Sequence, residues 1–189
     1  MAIKTFSVGE VLTASDTNTY LANSGLVYVK QVSFTSAADS GTNFQSIFNS
    51  TYDSYKIVCH SITAATNGAL PRMTFYYGTN TEQVTTYYSA VTNSIFNGTS
   101  NLTSVNNGAY IGLGAACDNI GDSGFVVDIL GVGSAGKGTV NIQYVDAYNG
   151  SFASGGGLVG TSQTYTGVKF FMSTGNIAMT ATVYGYRKG

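Results

Sequence analysis

Thr139-Val140-Asn141-Ile142-Gln143-Tyr144-Val145-Asp146-Ala147-Tyr148 decides the fold class. Val140, Ile142 and Tyr144 recur at every second position, and Asn141 and Gln143 fill the gaps. A period of two is the mark of a half-buried β-strand, whose successive side chains point to opposite faces. Asn149-Gly150 follows at once and turns the chain.

The same period appears on both sides of this stretch. Leu26-Val27-Tyr28-Val29-Lys30-Gln31-Val32-Ser33-Phe34 places Leu, Tyr, Lys, Val and Phe on alternate positions, with the Lys30 stem able to snorkel at a rim. Residues 55–62, 69–78, 83–96, 109–113, 124–130, 165–172 and 177–186 read as further strands. Pro71 falls near the start of one of them, where a missing N–H is tolerated. Residues 44–48 read as one helical turn or a short edge strand. The polar stretch between Asn97-Gly98 and Asn107-Gly108 reads as an exposed loop, and residues 154–157 as a glycine loop. Eight to ten modest strands with frequent turn signals, and no 20–50-residue repeat, predict a mainly-β chain. The expected architecture is an antiparallel two-sheet sandwich of jelly-roll type.

The first 25 residues are different. Thr13-Ala14-Ser15-Asp16 has the form of a capping box, and a short helix is expected over 14–23, closed by Gly25. Phe6, Val8, Val11, Leu12, Tyr20 and Leu21 are apolar and have no strand partner in reach, so they are the candidate anchoring residues. The chain divides into an arm over 1–25 and a β body over 26–189.

Composition narrows the function. The 189 residues carry 8 basic and 9 acidic side chains, 9% charged against about 25% in an ordinary soluble domain. With 43% apolar and 13% aromatic residues the chain can still bury a core. A net charge of −1 without a basic cluster argues against nucleic acid, which needs several Lys or Arg on one face. Apolar runs are only a few residues long, so membrane insertion is not expected, and the first residues lack the apolar core of a secretory signal. Gly, Thr, Ser and Asn together make 83 residues. Solubility resting on them rather than on charge suits a surface that packs beside copies of itself.

Motifs that resemble chemistry are incomplete. Gly131-Val132-Gly133-Ser134-Ala135-Gly136-Lys137-Gly138-Thr139 nearly spells a phosphate-binding loop, but the hydroxyl falls one position late and a strand follows instead of a helix. It reads as a β-hairpin turn. His60 is the single histidine, and on a strand Cys59 beside it points to the opposite face. There is no paired-His or CxxC spacing and no Gly-x-Ser-x-Gly elbow, so no catalytic residue, metal site or cofactor is expected. Asp118-Asn119-Ile120-Gly121-Asp122 resembles part of a calcium loop without its distal Glu. Cys59 and Cys117 read as buried reduced thiols. Asn49, Asn97, Asn101 and Asn149 match the glycosylation pattern at a rate an Asn- and Thr-rich chain produces by chance.

The tyrosines exceed what a core alone requires. Tyr supplies rigid amphipathic contact area. Tyr87, Tyr88, Tyr110 and Tyr148 are the candidate surface-binding residues, with subunit contacts as the main use and a host-surface glycan or protein as a further partner.

Three segments resemble a known group. Residues 1–6 and Gly9-Glu10-Val11-Leu12-Thr13-Ala14-Ser15-Asp16-Thr17-Asn18-Thr19-Tyr20-Leu21-Ala22-Asn23-Ser24-Gly25 resemble the opening of tailed-bacteriophage virion proteins, especially fibre-type proteins of marine phages. Asn49-Ser50-Thr51-Tyr52-Asp53-Ser54-Tyr55-Lys56-Ile57 is similar to the YDxYxI first body strand of that group, and Val183-Tyr184-Gly185-Tyr186-Arg187-Lys188 to its C-terminal signature. The similarity covers roughly a quarter of the chain. It implies a non-enzymatic virion component assembled in the host bacterial cytoplasm, commonly a homotrimer, with an N-terminal arm that docks on other virion proteins. A fibre or appendage role, with outer loops near 97–108 and 150–163 meeting the host, is the first expectation. A capsid decoration protein is the alternative. A carbohydrate-binding or carbohydrate-active protein is the third reading.

Overall fold

The computed structural model describes residues 7–11, 13–14, 25–37, 44–121, 123–132, 135–147 and 150–187. Twelve strands run in chain order: β1 Leu26–Ala37, β2 Tyr52–Ala64, β3 Pro71–Tyr77, β4 Thr81–Glu82, β5 Tyr87–Ile95, β6 Ser100–Gly108, β7 Ile111–Gly112, β8 Ser123–Leu130, β9 Thr139–Asp146, β10 Ser151–Val159, β11 Tyr165–Met172 and β12 Ile177–Arg187. All pairings are antiparallel. The chain is mainly β and sandwich-like, with sheets of unequal size. An eight-stranded sheet has the order β1-β12-β2-β8-β9-β10-β5-β6, and a small sheet is built from β11, β3, β4 and β7.

Alternation in the sequence becomes alternation in burial. In β9, Val140, Ile142, Tyr144 and Asp146 are buried while Asn141, Gln143 and Val145 are exposed. In β8, Phe125, Val127 and Ile129 do the same. These faces meet Met73, Phe75, Val168 and Phe170 of the small sheet in one hydrophobic core. Phe125 and Phe170 pack across it with ring centroids 5.1 Å apart, and Phe44 lies edge-on to Phe170 at 5.6 Å. Each such side chain contributes roughly 1.5–3 kcal/mol by leaving water.

Two expectations about loops are overturned. Residues 100–108 are a strand, β6, hydrogen-bonded to β5 from Ser94↔Ser100 to Tyr87↔Gly108. Its Ser, Asn and Thr side chains are exposed on both faces, so no apolar period marks it. The glycines at 155–157 lie inside β10, between β5 and β9, and are not a loop. Glycine is required there by close packing. A Cβ on Gly155 would collide with the Ala90 carbonyl and come within 2.6 Å of Val91 Cα. One on Gly157 would sit 2.8 Å from the Tyr88 carbonyl oxygen.

Candidate interaction surface

The tyrosines divide by depth. Tyr55, Tyr87, Tyr144 and Tyr165 are fully buried, which corrects the placing of Tyr87 on a binding surface. Its ring fills the core, and its hydroxyl donates to the Gln83 carbonyl at 2.9 Å and accepts the Phe75 N–H at 2.7 Å. Tyr165 donates to the Thr161 carbonyl at 2.6 Å. Both bonds reach back four residues from the first residue of a strand, fastening the loop to it as a tyrosine corner does. Burial raises the hydroxyl pKa of Tyr165 to about 12 and pushes those of Tyr87 and Tyr144 higher still. The surplus of tyrosine is thus partly a core material with its polar end satisfied. The sequence signal was a Tyr at a strand start just after a Thr- or Gln-bearing turn.

The other candidates are scattered. Tyr88 is 38% exposed on the outer face of β5. Tyr110 is half-buried beside the small sheet, with the Arg72 guanidinium 3.9 Å from its ring centroid and Phe171 edge-on at 6.4 Å. That stack continues to Lys169, which pairs with Glu82 at 3.1 Å. Tyr148 lies outside the described residues. Of the arm residues, Val8 and Val11 are exposed, whereas Phe6, Leu12, Tyr20 and Leu21 lie outside the described residues. So does the expected helix beyond Ala14. Residues 7–10 form a turn in which the Glu10 carboxylate accepts the Ser7 N–H at 3.0 Å.

The chemical motifs resolve into structure. Leu130 pairs with Thr139, so the glycine-rich 131–138 segment joins two antiparallel strands, and Lys137 is exposed. His60 is exposed and Cys59 buried, on opposite faces of β2. Both cysteines are free, and burial raises their thiol pKa values, keeping them protonated. Asp118 is buried, and its Oδ1 accepts the Ile120 N–H at 2.9 Å, while Asp122 lies outside the described residues. Among the described residues no three His, Cys, Asp or Glu side chains converge.

What the fold assembles, and single-segment reading missed, is an uncharged region. Residues 83–117 and 147–168 contain no Lys, Arg, Asp, Glu or His. The first segment supplies β5 and β6, the second β10, and these three strands are neighbours at one end of the large sheet. Charged side chains stay elsewhere in that sheet. Lys56 and Asp128 pair on adjacent strands, joined by the Tyr186 hydroxyl, which donates to Asp128 at 3.2 Å. Partial burial alone would lower the Lys56 pKa, but the Asp128 carboxylate outweighs it and the net shift is upward. No strand lies beyond β6 among the described residues, and β6 carries neither Pro nor Lys, the usual guards of a sheet edge.

Each face of this end carries a depression. Tyr88, Ala90, Gly156 and Leu158 of the outer face, with Val105 and Asn106 of β6, line an apolar groove of about 400 Å³. On the inner face, beyond the cover of the small sheet, a cleft of about 430 Å³ is lined by Leu70, Asn93, Ile95, Asn101, Thr103, Ala115, Ala116 and Ser151. No protein-family model matches the chain, and searches of curated proteins and of solved structures find no match.

Proposed function

We propose that this chain is a non-enzymatic structural component of a tailed-phage virion, a fibre or appendage protein held by residues 1–25, whose body packs against copies of itself. The observation that carries the reading is the uncharged β10–β5–β6 end with its unguarded edge. An edge with free N–H and C=O groups, no charge and no proline is a template for another strand. A monomer that had to stay apart would place Lys or Pro there. The resemblance of both chain ends to phage virion proteins supports the biological setting. The arm precedes β1, which is the opposite edge of the sheet, seven strand spacings or roughly 34 Å from β6. Docking through one edge leaves the other free for self-association.

Sedimentation velocity of the full chain tests the assembly claim. The purified protein is expected to run as an oligomer, and the double variant Leu102→Lys, Ser104→Lys to run as a folded monomer. A wild-type monomer at high concentration would sink the claim. Incorporation into particles tests the arm: a chain lacking residues 1–25 should be missing from purified virions. Copy number then separates the two virion roles, since hundreds of copies per particle would replace the fibre reading with capsid decoration.

A further inference from the structure

We infer that the inner-face cleft beside β6 binds a neutral, hydroxyl-bearing ligand of monosaccharide size. The pairing register builds it: Asn93 lies opposite Asn101 across β5–β6, and Ile95 opposite Ser151 across β5–β10. Leu70, Ala115 and Ala116 close it from the connections flanking the small sheet. Its volume of about 430 Å³ falls within the range of small-molecule sites.

Two polar atoms in this lining have no hydrogen-bond partner, the Asn93 Oδ1 and the Ser151 Oγ. Ser151 is only 3% exposed. The other end of the Asn93 amide donates to the Thr103 hydroxyl at 3.0 Å. If the amide is turned over, its NH2 takes the unpartnered position, so one end is free in either orientation. Buried polar groups are nearly always satisfied, and both unsatisfied atoms belong to side chains in the wall of this one cleft.

The lining also selects the ligand. No charged side chain contributes to it, so an anion or a cation would lose its hydration without gaining a counter-charge. Amides and hydroxyls each donate and accept, which matches ligand hydroxyls that do the same. Leu70, Ile95, Ala115 and Ala116 offer apolar walls to the C–H faces of a ring. This site lies on the opposite face from Tyr88 and does not depend on the virion reading, so each can fail separately.

The test is an NMR titration of the full chain with glucose, galactose, mannose and N-acetylglucosamine, and with inorganic phosphate and acetate as charged controls. At least one neutral sugar should give saturable shifts of the Asn93 and Asn101 side-chain amides and the Ser151 backbone amide, with none from the controls. Ser151→Ala removes an unpartnered hydroxyl, so it should keep or raise Tm while weakening the sugar about fivefold, the worth of one neutral hydrogen bond. Asn101 is exposed, so Asn101→Ala gives a second variant without risk to folding, and it should also weaken binding. No saturable shift with any neutral sugar, equal shifts with phosphate, or unchanged affinity in both variants would overturn the inference.

Discussion

Strands β2, β8 and β9 and strands β10, β5 and β6 lie side by side in one sheet, with the same antiparallel ladder, yet they are furnished differently. The first three bury Tyr55, Ile57, Val127, Ile129, Ile142 and Tyr144 inward and set the Lys56–Asp128 pair outward. The second three carry no charge, bury Tyr87 and Val91 from β5 but only Ala153 and glycines along the middle of β10, and end in a strand exposed on both faces. Backbone hydrogen bonding alone therefore does not decide what a strand is for. In the first group the apolar face is covered and Lys56 is paired with Asp128, with a smaller groove of about 270 Å³ over Gly124, Val126 and Gln143. The second leaves an edge, a groove and a cleft open, which is what a surface awaiting contacts requires.

Four measurements would break or sharpen this contrast. The largest effect is expected at alkaline pH, where buried tyrosines on both sides of the divide hold the fold together. Their folded-state pKa values are raised by burial, to about 12 for Tyr165 and higher for Tyr87 and Tyr144. The unfolded chain therefore ionises first, near pH 10. Stability is full below that pH and falls as pH rises through the folded values. Circular dichroism should show one cooperative transition, and two separate ones would mean that the halves unfold independently.

Next in size is the packing of β10. Gly155→Ala should cost about 3 kcal/mol in urea unfolding, because the new methyl meets backbone of β5 that cannot turn aside. Gly124→Ala in β8, where the added Cβ would sit 3.2 Å from the Cys59 carbonyl oxygen, should cost less than about 1 kcal/mol. Equal costs would erase the distinction between the two regions.

Within β5 itself, Tyr87→Phe leaves the Phe75 N–H and the Gln83 carbonyl without their partner and should cost about 2 kcal/mol. Tyr88→Phe, one residue on and facing out, should stay within about 0.5 kcal/mol. The smallest effect is at the edge. Leu102→Lys should change the stability of the monomer by no more than about 0.5 kcal/mol, since the side chain is exposed. A larger loss would mean that β6 is already part of the core.

The same contrast explains what could be read from the sequence. β1 and β9 are half-buried, so their side chains alternate and the period of two announces them, while β2, with Ile57-Val58-Cys59, is announced by apolar residues on both faces. β6 is wet on both faces, so Ser, Asn and Thr suffice, and the segment reads as a loop. β10 is buried by neighbours too close for side chains, so its glycines read as a turn. Tyr87 reads as a contact residue because the tyrosines exceed what a core requires and supply amphipathic contact area; its actual partners, Gln83 and Phe75, are reached only once the chain folds back. The cleft was out of reach for a similar reason. Asn93, Asn101 and Ser151 are unremarkable residues until the register of three strands brings them together. The absence of charge in 83–117 and 147–168 was visible all along, but its meaning depends on those segments being neighbours.

The place of β12 has a consequence for synthesis. It is the last of the twelve described strands in chain order, and it lies between the first two, pairing with β1 from Leu26↔Tyr186 and with β2 from Arg187↔Tyr52. β1 has no other strand partner among the described residues. Until β12 has been made, β1 has no strand of this sheet to pair with, and such long-range closure is slow in β folding. A chain cut short before residue 177 lacks the strand that joins β1 to the body. β1 can therefore join the sheet only after β12 has been made.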